Sequence, residues 1–497
     1  MIRHFPRRLI LALLLATLCF LSAGCFATGA SAGGGQAKYS GTRLVNPGDV
    51  ALPRGFRIEA IARDLTFPTG LAVDDQDRVY VVEAGYAYGE KWTTPRLLRI
   101  ESNGSKTEIS RGDNPPWNGI DFRNGFFYVA EGGEKGGGKI LRISRDGGDR
   151  RVLVDNLPSL GDHHTNGPIV GPDGYAYFGQ GTATNSGVVG TDDAKFGWLY
   201  RNPTFHDIPA QDIKLAGHNF KTDNPLTKGD KNDTAETGAY LPFGTPSYEG
   251  QVIKGQPLCT GAVLRVRVDG GDPEVVAWGL RNPFGLAFSP DGTLYVTDNS
   301  YDVRGSRPVW GAGDLLWSIG PENRGKWFGW PDFHGSTPLT KSDHYGAPFR
   351  KNAPQFLLVE HPNDPPDPVV KFGVHASACG MDFSRDADFG YEGQAFVAQF
   401  GDMAPTVGKV LAPVGFNIVR VNVKAGTIDT FATNRGGAGP ASRLKRGGFE
   451  RPVAVKFSPD GKALYVVDFG VVTMTKDGPA PRAGTGVLWR ITREGAR

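Results

Sequence analysis

One pattern returns six times along this chain: a small or apolar turn, a short strand, a Gly/Asp turn, then an aromatic-rich strand ending in a polar residue. The copies start at Phe67 (FPTGLAVDDQDRVYVVEAG), Trp117 (WNGIDFRNGFFYVAEGG) and Thr165 (TNGPIVGPDGYAYFGQG). They resume at Asn282 (NPFGLAFSPDGTLYVTDN), Ala378 (ACGMDFSRDADFGYEGQAFVAQFG) and Arg451 (RPVAVKFSPDGKALYVVDFG). A unit this short cannot bury its own apolar faces, so it stacks on its neighbours, as in a propeller or a solenoid.

Each copy reads as a four-stranded antiparallel blade, with strands a to d at 70–73, 79–83, 97–101 and 106–110 in the first. The last copy supplies 453–457, 463–467 and 487–491 and then runs out of strands. One orphan strand, at about 56–62, stands upstream of the first copy, and placing it in the last blade closes the ring without an unpaired edge. The expected fold is therefore all-β, a six-bladed β-propeller spanning 51–497. Two stretches break the period, at about 188–260 and 321–372, and long structured loops of this kind tend to serve as functional lids. A seventh blade inside the first stretch is the other count to weigh, although no Gly/Asp turn between alternating strands occurs there.

The N-terminus follows other rules. Arg3, Arg7 and Arg8 precede an apolar run at 9–21 that is short for a bilayer span, and the run ends in Leu21-Ser22-Ala23-Gly24-Cys25. That ending resembles a lipoprotein cleavage box, with 1–24 as signal, Cys25 lipidated and 25–50 a flexible tether. Ordinary secretory cleavage nearby is the alternative. The expectation is export, with a lipid anchor holding the protein to the bacterial cell envelope. Loss of three arginines and no acid takes the net charge from +3 to zero. A charge-balanced protein has no pull on nucleic acid or on an acidic membrane surface. Cys259 and Cys379 remain, and a disulfide between them and two free thiols are both open. Neither a CxxCH haem site nor paired CxxC zinc spacing is present.

Strands a and b run antiparallel, so the start of a and the end of b share one face. The residues before strand a bring Phe67, Trp117, His163, His164, Arg281, His375 and Arg451 toward the axis. The ends of strand b bring Glu83, Glu131, Gln180, Asp298, Gln399 and Asp468. Together they describe a polar funnel with a basic side and an acidic inner ring. Each acid has a plainer use in satisfying turn backbone, and Arg281 and Arg451 have one in tying blades together. The pair His163-His164 suits general-base work near neutral pH.

Two segments, DHHTNGPIVGPDGYAYFGQG and WGLRNPFGLAFSPDG, resemble the hallmark stretches of the soluble glucose/sorbosone dehydrogenase family. These are six-bladed propellers that use pyrroloquinoline quinone (PQQ). The segment GDLLWSIGPENRGKWFGWPDFHG resembles the family's Gly-Trp-Pro stretch, and the likeness spans roughly 52–491. It implies that His164 is the base that removes a sugar hydroxyl proton while hydride passes to the quinone. It puts Arg281 beside the quinone oxygens and Arg451 near its carboxylates, with His163, Trp117, His375 and Lys409 around the cofactor. Where the family holds calcium on a Glu-His/Gln-Gly-Pro turn, this chain has Asp298-Asn299-Ser300-Tyr301, which leaves Asp298 and Asn299 as the implied metal ligands. The family's glutamine before the second inner strand is replaced around Trp117. These departures resemble the sorbosone-dehydrogenase-like branch. The resulting expectation is oxidation of an aldose or a sorbosone-like aldehyde or alcohol, with electrons passed to an external acceptor. Two other readings stand beside it: a metal-dependent lactonase built on Glu83, Glu131, Asp298 and Asp468, and a non-catalytic propeller that binds carbohydrate or protein.

Overall fold

Six inner strands lie side by side around one axis in the computed structural model, which describes residues 32–36, 39, 41–227, 232–346, 353–475 and 478–495. Each touches the next, and that of blade 6 touches that of blade 1, so the ring is closed. The fold is a six-bladed β-propeller of antiparallel sheets. Blade 1 runs Pro68–Val73, Val79–Glu83, Arg96–Ile100 and Lys106–Arg111 from the axis outward. Blade 6 runs Pro452–Phe457, Ala463–Asp468 and Gly486–Arg493, and its outer strand is Phe56–Leu65. The pairing Phe56↔Arg493 and Ile58↔Ile491 joins the two ends of the propeller in one sheet, as the orphan strand required. Blade 5 gains a fifth strand, Val50–Ala51, on its outer edge.

Two details depart from the sequence expectation, and two settle alternatives it left open. The fourth strand of blade 4 is Val370–Val374, so the second insertion ends in a blade strand. The first insertion holds no seventh blade among its described residues. It carries two short helices, Thr191–Lys195 and Trp198–Arg201, and two antiparallel strand pairs, one enclosed in sequence by the other, and its Leu215 bridges Leu358 of the second insertion. Cys259 and Cys379 are free thiols in different parts of the core. The expected tether is already laid on the ring by its described residues: the Gly34 N–H donates to Asp402 Oδ2 at 3.0 Å, and buried Arg43 pairs with Asp468. Cys25 and the expected signal segment lie outside the described residues.

The core consists of apolar layers between blades. One cluster joins Tyr80 and Val82 of blade 1 to Phe127 and Val129 of blade 2, and another joins Phe396 of blade 5 to Trp489 of blade 6. Strands b are covered on both faces, which is why Val79–Glu83 and Leu294–Asp298 are buried at every residue. Each fully buried large side chain contributes about 1.5–3 kcal/mol.

The ring closes only because one column of the repeat is small. A Cβ on Gly70 would stand 2.6 Å from the Gly119 Cα, one on Gly285 2.3 Å from the Cys379 carbonyl oxygen, and one on Gly380 2.9 Å from the Ala454 Cα. Further along the inner strands, polar ties replace contact. The Val170 N–H donates to Asp121 at 2.9 Å and the Phe457 N–H to Asp382 at 2.9 Å, which clamps blade 2 to 3 and blade 5 to 6. Lys456 of blade 6 reaches past blade 1 to Asp121 at 3.0 Å, at the end of the axis opposite the residues that precede strand a.

Gly285→Ala should therefore lower stability by about 1–3 kcal/mol through overpacking against unyielding backbone. Gly136→Ala, where the nearest atom to an added Cβ is 3.9 Å away, should change it far less. Chemical denaturation of the two variants compares them, and equal losses would remove the axial contact as the cause.

Candidate functional site

Every blade has a register irregularity beside the small residue of its inner strand, as between Pro68 and Gly70 or between Pro452 and Ala454. A bulge re-aims the side chain it carries. Here that is the residue just before the small one: Thr69, Asn118, Asn166, Phe284, Cys379 and Val453, all of which line one cavity of about 200 Å³. Its floor is polar over blades 1 to 3 and apolar over blades 4 to 6. An amide chain runs along the polar half: Asn118 donates to Asn166 at 3.3 Å, Asn166 to Asn282 at 2.9 Å, and Asn282 to Asn299 at 3.1 Å. The walls come from loops. Tyr86 and Tyr88 stand beyond strand b of blade 1, and Phe196 and Trp198 hang from the first insertion.

Of the residues expected to converge, His163, His164, Arg281 and His375 line this cavity. Asn299 lines it too, with its side chain and carbonyl already spent. Its amide donates to the Ala378 carbonyl at 2.7 Å, and its own carbonyl accepts from Arg281 at 3.2 Å. The others stand elsewhere. Trp117 is fully buried and donates its indole N–H to Glu131 at 3.2 Å. Arg451 is fully buried and donates to the carbonyls of Gly401 and Asp402, at 3.0 and 3.1 Å, pinning a loop that borders the cavity. Lys409 is exposed in that same loop, and a Cβ on its neighbour Gly408 would strike the His375 ring.

The acidic ring also has structural work. Glu83 accepts the Thr66 N–H at 2.7 Å, Asp298 accepts the N–H groups of Arg281 and Asn282 at 3.1 and 2.7 Å, and Asp468 accepts those of Glu450 and Arg451 at 2.8 Å each. In each case the carboxylate ending strand b locks the loop that leads into strand a. Burial pushes Asp298 up to about 6. None of the four carboxylates proposed for a lactonase lines the cavity, and no cluster of three or more metal-ligating side chains occurs among the described residues. The oxygens of Asp298 and Asn299 accept N–H groups of Arg281 and Asn282.

The electrostatic centre is an ionic network the repeat did not announce. Arg281 donates to the Asn185 carbonyl and side-chain oxygens at 3.0 and 2.9 Å and to Asp302 at 3.0 Å. Arg304 pairs with Asp302 at 3.2 Å, with Asp192 at 2.7 Å and with Asp162. The two guanidinium groups hold Asp162 and Asp302 below the usual carboxylate range despite burial, whereas burial raises Asp192. Asp302 also meets His375 Nδ1 at 3.3 Å, and His375 Nε2 is buried without a partner among the described residues. His375 holds a φ of 61°, a strained left-handed conformation for a residue with a Cβ.

The two adjacent histidines differ in kind. His163 donates from Nδ1 to the Thr182 carbonyl at 3.0 Å, and burial pushes it down to about 3. His164 Nε2 lies 2.6 Å from Glu134, whose side chain is fully buried. With the carboxylate accepting from Nε2, Nδ1 of His164 keeps its lone pair, and it has no hydrogen-bond partner among the described residues. Glu134 comes from the Gly-rich loop after strand b of blade 2, where no repeated position marks it in the sequence. Asp302 and Arg304 follow strand b of blade 4 in the same way. The available signal was position: loops after strand b rise on the same face as the residues before strand a.

Comparison with known proteins returns the same architecture. The chain is similar to the PQQ domain of pyranose dehydrogenase from Coprinopsis cinerea, at 15% identity and a TM-score of 0.53, covering 92% of this chain and 98% of that one. It is similar to the soluble aldose sugar dehydrogenase of Escherichia coli in its apo form, at 15% identity and a TM-score of 0.51, covering 88% and 99%. At such identities the likeness is one of fold. A protein of uncharacterised function from Borreliella burgdorferi is 26% identical over 229 residues, 44% of this chain, and the chain spans about half of that protein's length. No family model matches the chain.

His163 supplies a test of the site's protonation. A histidine held neutral when folded supports stability above its unfolded value of about 6.5 and loses that support as pH falls toward 3. The wild type should lose up to about 1.4 kcal/mol per pH unit from this one proton across that window. His163→Gln should lack that component when urea unfolding is followed from pH 7 to pH 4, and an unchanged slope would remove His163 as a buried neutral base.

Proposed function

We propose that this chain is a quinone-dependent oxidoreductase that oxidises an aldose or a sorbosone-like aldehyde or alcohol, with PQQ as its cofactor. The observation that carries the reading is the meeting of the Glu134–His164 pair and Arg281 in one cavity. The motifs around His164 and Arg281, which resemble the glucose/sorbosone dehydrogenases, and the fold shared with PQQ-dependent sugar enzymes support it.

The residues present suit a flat, oxygen-rich heterocycle. Among the described residues, Arg281 and Arg304 keep N–H groups beyond those bonded to protein, and the buried His375 Nε2 lacks a partner. Phe284, Phe400 and Phe469 line the apolar side, where a ring would pack. The fit is to hydrogen-bonding atoms more than to net charge, since Asp162 and Asp302 already balance both guanidinium groups. Arg281, Arg304 and His375 would hold the group, which supplies a two-electron acceptor when bound.

The protein's own part is to bind, orient and take a proton. Thr69, Asn118 and Asn166 offer hydroxyl-binding atoms on the floor, and Tyr86, Tyr88 and Trp198 offer a wall for the apolar face of a sugar ring. His164 Nδ1 accepts the hydroxyl proton while Glu134 stabilises the imidazolium that forms. Electrons then leave to an external acceptor. In this reading the protein is exported and held to the envelope through Cys25, and Cys25→Ser should release it from the membrane fraction and abolish labelling by radioactive palmitate.

The test is reconstitution. Protein mixed with PQQ, with and without calcium, should reduce a dye in the presence of aldoses. Quenching of intrinsic fluorescence by PQQ measures binding apart from turnover. His164→Ala should lower the rate by about 10²–10⁴-fold with quinone binding retained. Absence of both quinone binding and dye reduction would sink the proposal.

A further inference from the structure

Glu134 has two partners. One carboxylate oxygen meets His164 Nε2 at 2.6 Å and the other meets the Arg201 guanidinium. Arg201 belongs to the first insertion, in the short helix Trp198–Arg201 whose Trp198 walls the cavity. The same guanidinium pairs with Glu90 at 2.8 Å and lies 5.8 Å from the Trp92 ring, so it fastens the insertion onto the hairpin of blade 1. The Arg201 side chain is about one-third exposed, while that of Glu134 is fully buried. The first insertion and the buried His164 thus share one carboxylate.

We propose that Arg201 is a tuning residue for His164, acting through Glu134, so that seating of the insertion over the cavity sets the strength of the base. This rests on the reading of His164 as that base. With Arg201 in place, part of the Glu134 charge is neutralised and the imidazolium form of His164 is less favoured. With Arg201 withdrawn, the whole carboxylate charge acts on the ring, which then binds its proton more tightly.

The groups that face His164 from each neighbouring element are few. Blade 1 contributes Tyr86 and Tyr88, with ring centroids 5.8 and 6.5 Å away, and Glu90, which accepts from Tyr86 at 3.2 Å. Blade 2 contributes Glu134, with Lys135 next to it over Trp92. The loop of His164 itself carries Asp162 and His163, and His163 is held neutral by burial. Arg201 is the cation that touches the carboxylate partner of His164.

The experiment is a pH titration of the His164 ring Cε1–H signal in cofactor-free protein, assigned by its loss in His164→Gln. Arg201→Met should move the midpoint up by about one pH unit and Glu134→Gln should move it down by a similar amount. Arg201→Lys, which keeps a cation, should return it toward the wild-type position. A purely structural role predicts no movement, or movement in the same direction in both variants, and either result overturns the proposal. If Glu134→Gln does not fold, Arg201→Met and Arg201→Lys decide the matter alone, since Arg201 lies at the surface. The readout needs neither quinone nor sugar. Failed reconstitution with shifted midpoints would thus sink the function and keep the coupling, and the reverse result would do the opposite.

Discussion

Close approach of backbone to backbone at the axis is the constraint on which the rest of this molecule depends. Six strands meet around a centre too narrow for side chains at one level, so the repeat places Gly70, Gly119, Gly167, Gly285, Gly380 and Ala454 there. The narrowing forces a register break in every blade, and the break turns the preceding residue toward the axis. The cavity floor is thus a by-product of closure. Its chemistry is free to vary because the packing requirement falls on the next residue along.

Above that floor the protein spends most of its ionisable groups on holding itself together. The carboxylates at the ends of strands b hold backbone, and Arg451 holds a loop. Arg281 and Arg304 neutralise Asp162 and Asp302 inside the cavity wall. Charges buried in pairs add little net stability, and removal of one partner leaves the other exposed to the full penalty of desolvation. Such a network therefore fixes geometry, and it leaves His164, His375 and the spare guanidinium hydrogens as the adjustable polar atoms of the site.

The sequence made the blade count, the closing strand and the face of the site legible, because those follow from period and strand direction. It misjudged which side chains reach the axis. Counting back from the small residue pointed to Trp117 and Arg451, but the bulge rotates the neighbouring residue inward and sends these two between blades. Thr69 and Asn118 were in plain view and one position away. Glu134, Arg201 and Arg304 were out of reach for another reason: they lie in loops without a repeat, and only the fold brings them to His164 and Arg281. Strand Val370–Val374 was hidden because its partner strand ends 51 residues earlier, at Ile319.

The pairing of Phe56–Leu65 with Gly486–Arg493 has a kinetic meaning as well as a structural one. Blades 1 to 5 are each built almost wholly from a continuous stretch of chain and can form as that stretch becomes available. Blade 6 cannot, since its outer strand is made first and the strand it pairs with is made last. Contacts of such long sequence separation form slowly. The cavity is bounded by blade 6 as well as by blade 1, so it exists only after the two ends have met. Until then the chain is a row of finished blades without a site.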